Sequence, residues 1–463
     1  MRAGRFTITD LYGFWLPLYQ FIAALLNLVL GNGFYAGKFV AAVFGVGVCL
    51  LVYQLTWQLT GHRTAALLAF LLIAVNPLHV FYSASAMTDG PHAFFVLASL
   101  CFCLRQRWIS AAVMAALAGL TRMESWMFIA LIPAIQVLRE RRISFVALVI
   151  LVIPPLFWFY ISWKATGNWL ACFVARQQYH DWLLAANPTL AHFSLSHILR
   201  DTATLIVSAD FAVLLSAIVA AWMVCGMMFQ KKGQGTIHES TRNKPGFSSR
   251  VFAAVSCEFV DRDLCSALIF FFAFFGLLVI AYLTHQQPII FPRYGLILFS
   301  LGVPILAWTL LRLRQQKPQW ARRLLICTVA ICVFDASIQL VGAVGILNQT
   351  SAERAVADYL RDHFDGRSDN HIFCDEGTVA VMSGIPAEKF LNSLAAPRDR
   401  EGFLNYLKAQ NVEYLVLVSN QDSTRARLFP DRDYGDRIDS FEPVIHARAR
   451  FLRTDIWLYR VQW

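Results

Sequence analysis

Residues 65–91, AALLAFLLIAVNPLHVFYSASAMTDGP, decide the fold class of this chain. The run 65–82 is apolar and long enough to cross a hydrocarbon core of about 30 Å. Asp89 follows it in a polar turn, and another apolar run begins directly afterwards. A carboxylate beside membrane-spanning segments is costly and usually has a function. The stretch therefore predicts a polytopic membrane protein with an acid at the end of a helix.

Apolar runs of this kind recur along the first 350 residues. Of 463 residues, 57% are hydrophobic and only 15% are charged, a composition that excludes an ordinary soluble protein. Residues 14–30 either span the membrane or lie flat on its surface, so we expect about 9–11 spans in an α-helical bundle. Besides 65–82, the predicted spans are 37–59, 91–104, 109–121 continuing into 123–138, 143–163, 209–229, 266–284, 293–311 and 324–346.

The positive charge of the chain indicates its membrane topology. The net charge is +10, yet residues 351–463 hold 15 Lys and Arg against 18 Asp and Glu, so the excess belongs to the apolar part. Basic loops at every second turn form the positive-inside pattern, which predicts that they are cytoplasmic and that Asp89 is on the opposite side. This distribution gives no reason to expect nucleic acid as a partner. The basic loops are His62-Arg63, Arg105–Arg107, Arg139–Arg142, Lys231-Lys232 and Arg312–Arg323.

A change of composition after the last apolar run predicts a second domain. We expect a membrane domain over residues 1–346 and a soluble domain over 347–463. Helices that alternate with apolar strands are typical of a small α/β domain, and the charge pattern places it outside the cytoplasm. Its predicted elements are a helix capped by Ser351, a strand at His371–Cys374, a helix at 399–410, a strand at Tyr414–Val418 and a hairpin around 443–461.

Asp89 has two compatible interpretations. Thr88 or Asp89 before Gly90-Pro91 is typical of a helix N-terminus, where the acid caps the helix. At the outer membrane boundary the same acid can also act as a base, orient a hydroxyl or bind a cation. A capping acid can still face a cavity, so Asp89 is a candidate catalytic residue.

Further polar residues lie at predicted outer ends of spans. Arg122 and Glu124 lie between two apolar runs, and a guanidinium binds phosphate oxygens bidentately. Arg293 precedes a span on the outer side, against the charge rule, so a partner such as Asp89 or a lipid phosphate is expected. The alternative for Arg122 and Glu124 is an interfacial pair that only marks the turn, and the alternative for Arg293 is snorkelling to the headgroups. The candidate binding residues are Arg122, Glu124, Lys38, His285, Arg293 and Tyr294.

Common catalytic motifs are missing from the sequence. It contains no phosphate-binding Gly-rich loop, no zinc-protease motif and no nucleophile elbow in a suitable context. Most of the ten cysteines lie in apolar runs, where thiols are ordinary small hydrophobic groups. The sequence therefore assigns no metal ligand.

Four segments, taken in order, resemble one superfamily. They are Trp15–Tyr19, the opening of a span at Gly31–Phe39, Tyr82-Ser83 with Thr88-Asp89, and Gly119–Glu124. In these segments, over roughly residues 10–310, the chain resembles the GT-C membrane glycosyltransferases. This superfamily includes the aminoarabinose transferase, protein O-mannosyltransferase and related bacterial polyprenyl-phosphate-sugar enzymes.

The resemblance implies a bundle of many helices with a catalytic pocket on its outer face. The implied donor is a sugar on a polyprenyl phosphate, and the acceptor arrives from the outer side. Asp89 matches the second acidic residue of that pocket, while Arg122 and Arg293 match cations near the donor phosphate. The resemblance names no other cofactor and leaves open whether a divalent metal assists.

The N-terminus departs from the pattern of the superfamily. There, a first span and an outer loop with the main catalytic acid precede the Pro-Leu-Tyr-like segment. Here 14 residues precede Trp15, and Asp10 is the carboxylate among them. Three alternatives follow: Asp10 serves as this main catalytic acid, the chain is N-terminally truncated, or it is a degenerate member of the superfamily.

Glycosyl transfer at the outer face of the inner (plasma) membrane is the function that these patterns favour. The expected partners are a polyprenyl-phosphate sugar, membrane lipid and an acceptor that is a lipid, glycan or protein. A non-catalytic membrane scaffold and a lipid-carrier transporter are the alternatives. A transporter predicts internal repeats and charges near the bilayer midplane. Apart from Asp335, the charges of the predicted spans lie at span ends, which does not favour a transporter.

Overall fold

The structure is a computed structural model that describes most of the chain. The described residues are 16–186, 195–234, 247–284, 291–366, 369–391, 396–397, 399–418, 424, 428–429, 441–449 and 454–463. The chain divides into two compact units, Met1–Gln339 and Leu340–Trp463. Asp10 and His285, both candidates from the sequence, lie outside the described residues.

The first unit is a bundle of α-helices. A 3-10 helix, Met123–Met127, connects two of them, and the last one continues into the second unit. In chain order the helices are α1 (Pro17–Leu30), α2 (Gly33–Thr60), α3 (Arg63–Ala74), α4 (Pro77–Ala84), α5 (Asp89–Leu104), α6 (Trp108–Gly119), α7 (Phe128–Glu140), α8 (Phe145–Thr166), α9 (Ala171–Ala186), α10 (Leu195–Ala209), α11 (Phe211–Gln234), α12 (Phe247–Leu283), α13 (Arg293–Gln316) and α14 (Pro318–His363).

Among the described residues, five helices contain a segment long and apolar enough to cross a membrane, in α2, α8, α12, α13 and α14. The pairs α3/α4 and α10/α11 bend by 62° and 81°, and counting each pair as one span gives seven. The prediction of about 9–11 spans also included α1, α5 and α6, which are shorter apolar helices. The 14 residues of α1 extend only about 21 Å, less than the hydrocarbon thickness.

Helix α5 lies inside the bundle, with most of its residues buried. Gly90 permits a close approach to α2, since a Cβ there would lie 3.3 Å from the carbonyl oxygen of Ala41. At the other end of α5, Arg139 lies 3.4 Å from the carbonyl oxygen of Leu104 and 2.6 Å from Asp263. The starts of α7 and α5 are therefore at one end of the bundle and their basic loops at the other.

The second unit contains a five-stranded mixed sheet. Its strand order is β2-β1-β3-β5-β4; β1 is parallel to β2 and β3, and β5 is antiparallel to β3 and β4. This confirms the predicted small α/β fold. The strands are β1 (His371–Cys374), β2 (Phe390–Leu391), β3 (Val412–Val418), β4 (Phe441–Ala449) and β5 (Thr454–Val461), accompanied by α15 (Gly377–Ser383) and α16 (Arg400–Ala409).

Alternating residues of β3 produce two cores, one on each face of the sheet. Tyr414 and Val416 pack with Val356 from the last turns of α14. Leu415 and Leu417 pack on the opposite face, in the core that includes Phe403 of α16. The sheet is therefore covered by a helix on either side.

One predicted helix boundary is wrong. Ser351 was expected to cap a new helix, but α14 runs without interruption from Pro318 to His363. No proline occurs between Pro318 and the end of this helix, and the residues around Ser351 have ordinary helix propensity. The two units divide between Gln339 and Leu340, within this same helix.

Candidate active site

Asp89 and Arg122 form a buried ion pair at one end of the first unit. Nη1 of Arg122 lies 2.6 Å from Oδ1 of Asp89, and the two side chains are only 7% and 5% exposed. Asp89 is the first residue of α5, where the unpaired N–H groups of a helix favour a negative charge. The sequence predicted both residues, and the structure brings them into direct contact.

Glu124 holds the other side of the same guanidinium. Its oxygens lie 3.0 Å from Nη2 and 3.4 Å from Nε of Arg122. Arg122 thus has two acidic partners.

Arg122 has N–H groups that its contacts with Asp89 and Glu124 do not use. A guanidinium has five N–H donors, and the contacts with Asp89 and Glu124 use three of them. On Asp89, Oδ1 accepts from Arg122, whereas Oδ2 makes no hydrogen bond within the described part of the chain. Both side chains can therefore take a further polar ligand without breaking their mutual contact.

Arg293 and Tyr294 reach the pair from the first turn of α13. The guanidinium carbons of Arg122 and Arg293 each lie 5.4 Å from the ring centroid of Tyr294. Cations at this distance from a ring face are attracted by its quadrupole. The tyrosine ring thus contacts both cations, and all three side chains line one space with Asp89.

The space between these side chains is small, about 30 Å³. Asp89, Arg122, Glu124, Arg293 and Tyr294 all line it. Their formal charges, two negative and two positive, cancel. A cavity of this size holds about one water molecule, so a sugar phosphate enters only if some of these side chains move.

His92 also lines this space, although no sequence pattern indicated it as a site residue. His92 lies one turn after Asp89 on α5, and its Nε2 is 2.8 Å from Oγ of Ser125. Ser125 belongs to the turn that carries Glu124, so this contact fixes that turn to α5. A single His in an apolar run is not part of a recognisable sequence motif. Its contact with Ser125 becomes visible only in the folded structure.

Lys38 is not among the residues that line this space. Its Nζ lies 4.4 Å from the centroid of the Phe34 ring on the same helix turn. As for metals, no group of three His, Cys, Asp or Glu side chains suited to an ion occurs in the described ranges. Asp89 and Glu124 both contact Arg122 in this arrangement.

Comparison with known proteins identifies the fold. Residues 16–163 match the family model of dolichyl-phosphate-mannose-protein mannosyltransferase, and this segment includes Asp89, Arg122 and Glu124. The apo structure of ArnT from Cupriavidus metallidurans matches with a TM-score of 0.55 and 13% identity, over 97% of this chain and 88% of that chain. The chain has the GT-C glycosyltransferase fold. The predicted resemblance is confirmed.

Two further GT-C structures are similar. ArnT from Cupriavidus metallidurans bound to undecaprenyl phosphate matches with a TM-score of 0.53 and 13% identity, over 97% of this chain and 89% of that one. The apo oligosaccharyltransferase of Archaeoglobus fulgidus matches with a TM-score of 0.50 and 12% identity, over 88% of this chain. This GT-C chain spans 62% of the length of that oligosaccharyltransferase. No curated protein sequence matches the chain.

Proposed function

We propose that this GT-C protein transfers a sugar from a polyprenyl-phosphate-linked donor to a lipid, glycan or protein acceptor on the outer face of the cytoplasmic membrane. The observation that carries the proposal is the buried contact between Asp89 and Arg122. It joins an acid and a cation within the segment that matches the mannosyltransferase family. ArnT, which has the same fold, has been solved with undecaprenyl phosphate bound.

Asp89 is the proposed base. Its Oδ2 accepts the hydrogen bond of the acceptor hydroxyl, whose oxygen attacks the anomeric carbon of the donor. The bond between that carbon and the phosphate oxygen breaks, the phosphate leaves with the electron pair, and the acceptor proton passes to the carboxylate. The anomeric configuration is inverted in this single displacement. General base catalysis of this type contributes about 10²–10⁴-fold.

Arg122 and Arg293 are the proposed partners of the leaving phosphate. Negative charge grows on the phosphate as the sugar departs, and fixed cations stabilise it more strongly in the transition state than in the donor. Arg122 contributes the N–H groups not used by Asp89 and Glu124. Tyr294 contacts both guanidinium groups through its ring.

Glu124 and His92 are proposed to position the others. Glu124 orients the Arg122 guanidinium through two hydrogen bonds. His92 holds Ser125 and with it the turn that carries Glu124. Asp10 remains a prediction from the sequence as an additional catalytic acid. His285 and Lys38 remain predictions as substrate-binding residues.

The proposed location is the inner (plasma) membrane, with several spans. The basic loops at Arg105–Arg107 and Arg139–Arg142 lie at one end of the bundle and Asp89 at the other. The positive-inside rule assigns the basic end to the cytoplasm. The site and the domain after α14 then belong to the outer side.

Accumulation of the donor lipid tests the proposed function, and this test does not require that the donor sugar be known. A strain without this gene is expected to accumulate a polyprenyl-phosphate sugar, detected by mass spectrometry of its lipid extract. The wild-type gene restores the normal level, whereas Asp89→Asn does not, although the protein is present in the membrane in equal amount. An unchanged level of every polyprenyl-phosphate sugar after deletion contradicts the proposal.

A further inference from the structure

A second cavity lies at the opposite end of α5 from Asp89. Its volume is about 720 Å³, and it is lined by residues of α2, by Arg105 at the end of α5 and by Asp263 of α12. Helix α5 has 16 residues, so this cavity is about 22 Å along the helix axis from the candidate active site. The two spaces are therefore separate sites.

The two charged side chains that line this cavity, Arg105 and Asp263, cancel in formal charge, but Asp263 is paired with a cation outside the lining. Asp263 is neutralised by Arg139, whose Nη2 lies 2.6 Å from its Oδ1. The side-chain oxygen of Gln58, in the amide orientation that satisfies both groups, accepts from Nε and Nη2 of Arg105 at 2.6 and 2.9 Å. Within the described ranges no carboxylate forms an ion pair with Arg105. Its charge is thus held in place by a neutral amide and is available to an anion.

The wall formed by α2 changes from polar to apolar along the helix. Trp57 lines the cavity and stacks with the guanidinium of Arg63, which lies 5.3 Å from the ring centroid. From Trp57 towards the middle of α2, Leu50 and Val46 are 58% and 62% exposed. Apolar side chains exposed on a membrane-spanning helix face lipid chains. The cavity therefore opens beside the lipid, at the level where a tryptophan and arginines meet the headgroups.

We propose that this cavity binds the phosphate group of an anionic membrane lipid. Arg105 contacts the phosphate oxygens, Gln54 and Gln58 supply amide hydrogen bonds to the polar headgroup, and the acyl chains lie along Leu50 and Val46. A guanidinium oriented by an amide suits a phosphate because its planar N–H groups match the phosphate oxygens. Under the positive-inside rule, the basic end of the bundle faces the cytoplasmic leaflet. This leaflet contains anionic lipids and supplies such a ligand.

The test measures lipid retention by the purified full-length protein. The protein is equilibrated with phosphatidylglycerol or with phosphatidylcholine, and bound lipid is counted by native mass spectrometry. Phosphatidylglycerol is expected to bind at least about tenfold more tightly, and Arg105→Gln is expected to lose that preference. Arg107→Gln is the matched control, because Arg107 is exposed in the same loop and does not line the cavity. Arg105→Lys keeps the charge without the planar fork and is expected to retain part of the preference.

Two results would overturn the proposal. An equal loss in the Arg105→Gln and Arg107→Gln variants would mean that only the general charge of the loop attracts lipid. Displacement of phosphatidylglycerol by millimolar inorganic phosphate would identify the ligand as a soluble phosphate instead. Equal melting temperatures of the variants and the wild type verify that lost binding does not reflect unfolding.

Discussion

Arg122 contacts Asp89 at 2.6 Å although 33 positions separate the two residues in the chain. Both are almost fully buried, and Glu124 completes the arrangement. Replacing a buried ion pair by well-packed apolar groups is often neutral or stabilising, so stability alone does not account for such a pair. The proposed function supplies a reason for charge at this point of the bundle.

Asp89→Asn tests the proposed base. The amide keeps the size of the side chain and leaves Arg122 paired with Glu124, but it cannot take up a proton. We expect kcat for transfer to fall by about 10²-fold or more, while donor binding changes little. The rate is measured as donor consumption in membrane vesicles.

Asp335→Asn is the matched control for Asp89→Asn. Asp335 is 4% exposed in α14, as deeply buried as Asp89, but it does not line the candidate active site. Its replacement is expected to leave kcat unchanged. Equal losses of activity in the two variants would remove Asp89 from the mechanism.

Arg122→Gln tests the charge balance of the site. The substitution leaves the buried carboxylate of Asp89 and the partly exposed carboxylate of Glu124 without their cation, and breaking a buried pair typically costs about 3–5 kcal/mol in the free energy of unfolding. Adding Asp89→Asn to this variant removes one of these charges. The double variant Asp89→Asn/Arg122→Gln is therefore expected to be more stable than Arg122→Gln alone, as measured by thermal unfolding in detergent. If the two losses simply add, the ion pair contributes nothing to the folded state.

Arg293→Gln tests the proposed contact with the donor phosphate. We expect weaker binding of undecaprenyl phosphate, by about tenfold, because one charge-assisted contact is lost. Arg312→Gln is the control: Arg312 lies near the other end of α13, 5.6 Å from the Trp308 ring centroid. Native mass spectrometry in detergent measures both, and similar affinities of the two variants would exclude Arg293 from the phosphate site.

The reactivity of the Cys374 thiol tests the fold of the second unit. It lies at the end of β1, and burial raises the pKa of its thiol from 9.0 to about 12. Because the thiolate is the reactive form, alkylation by iodoacetamide is expected to be slow at pH 9 in the folded protein and fast after denaturation. Peptide mass spectrometry measures the modification of Cys374 separately from that of other cysteines. Rapid labelling of the folded protein at pH 9 would contradict its burial in the sheet.

The helical bundle could be predicted because spans need long apolar runs, and the charges between them stand out. Asp89, Arg122 and Arg293 were found in this way, each as an isolated residue at a helix end. The resemblance implied that they share one pocket, but the direct contact between Asp89 and Arg122 could not be predicted, since it depends on how α5 and the turn after α6 pack. His92 gave no signal for the same reason: its partner Ser125 is 33 positions away. The continuation of α14 past Ser351 was missed because a capping residue within a helical pattern does not by itself end a helix.

Release of polyprenyl phosphate in proteoliposomes is the most direct test of the central claim, that the Asp89–Arg122 site transfers a sugar. The donor is purified from the lipid extract of the deletion strain and incubated with purified wild-type protein or Asp89→Asn, together with an extract that contains the acceptor. We expect release of polyprenyl phosphate by the wild-type protein and at least about 10²-fold slower release by Asp89→Asn. Equal release by both proteins would contradict this claim.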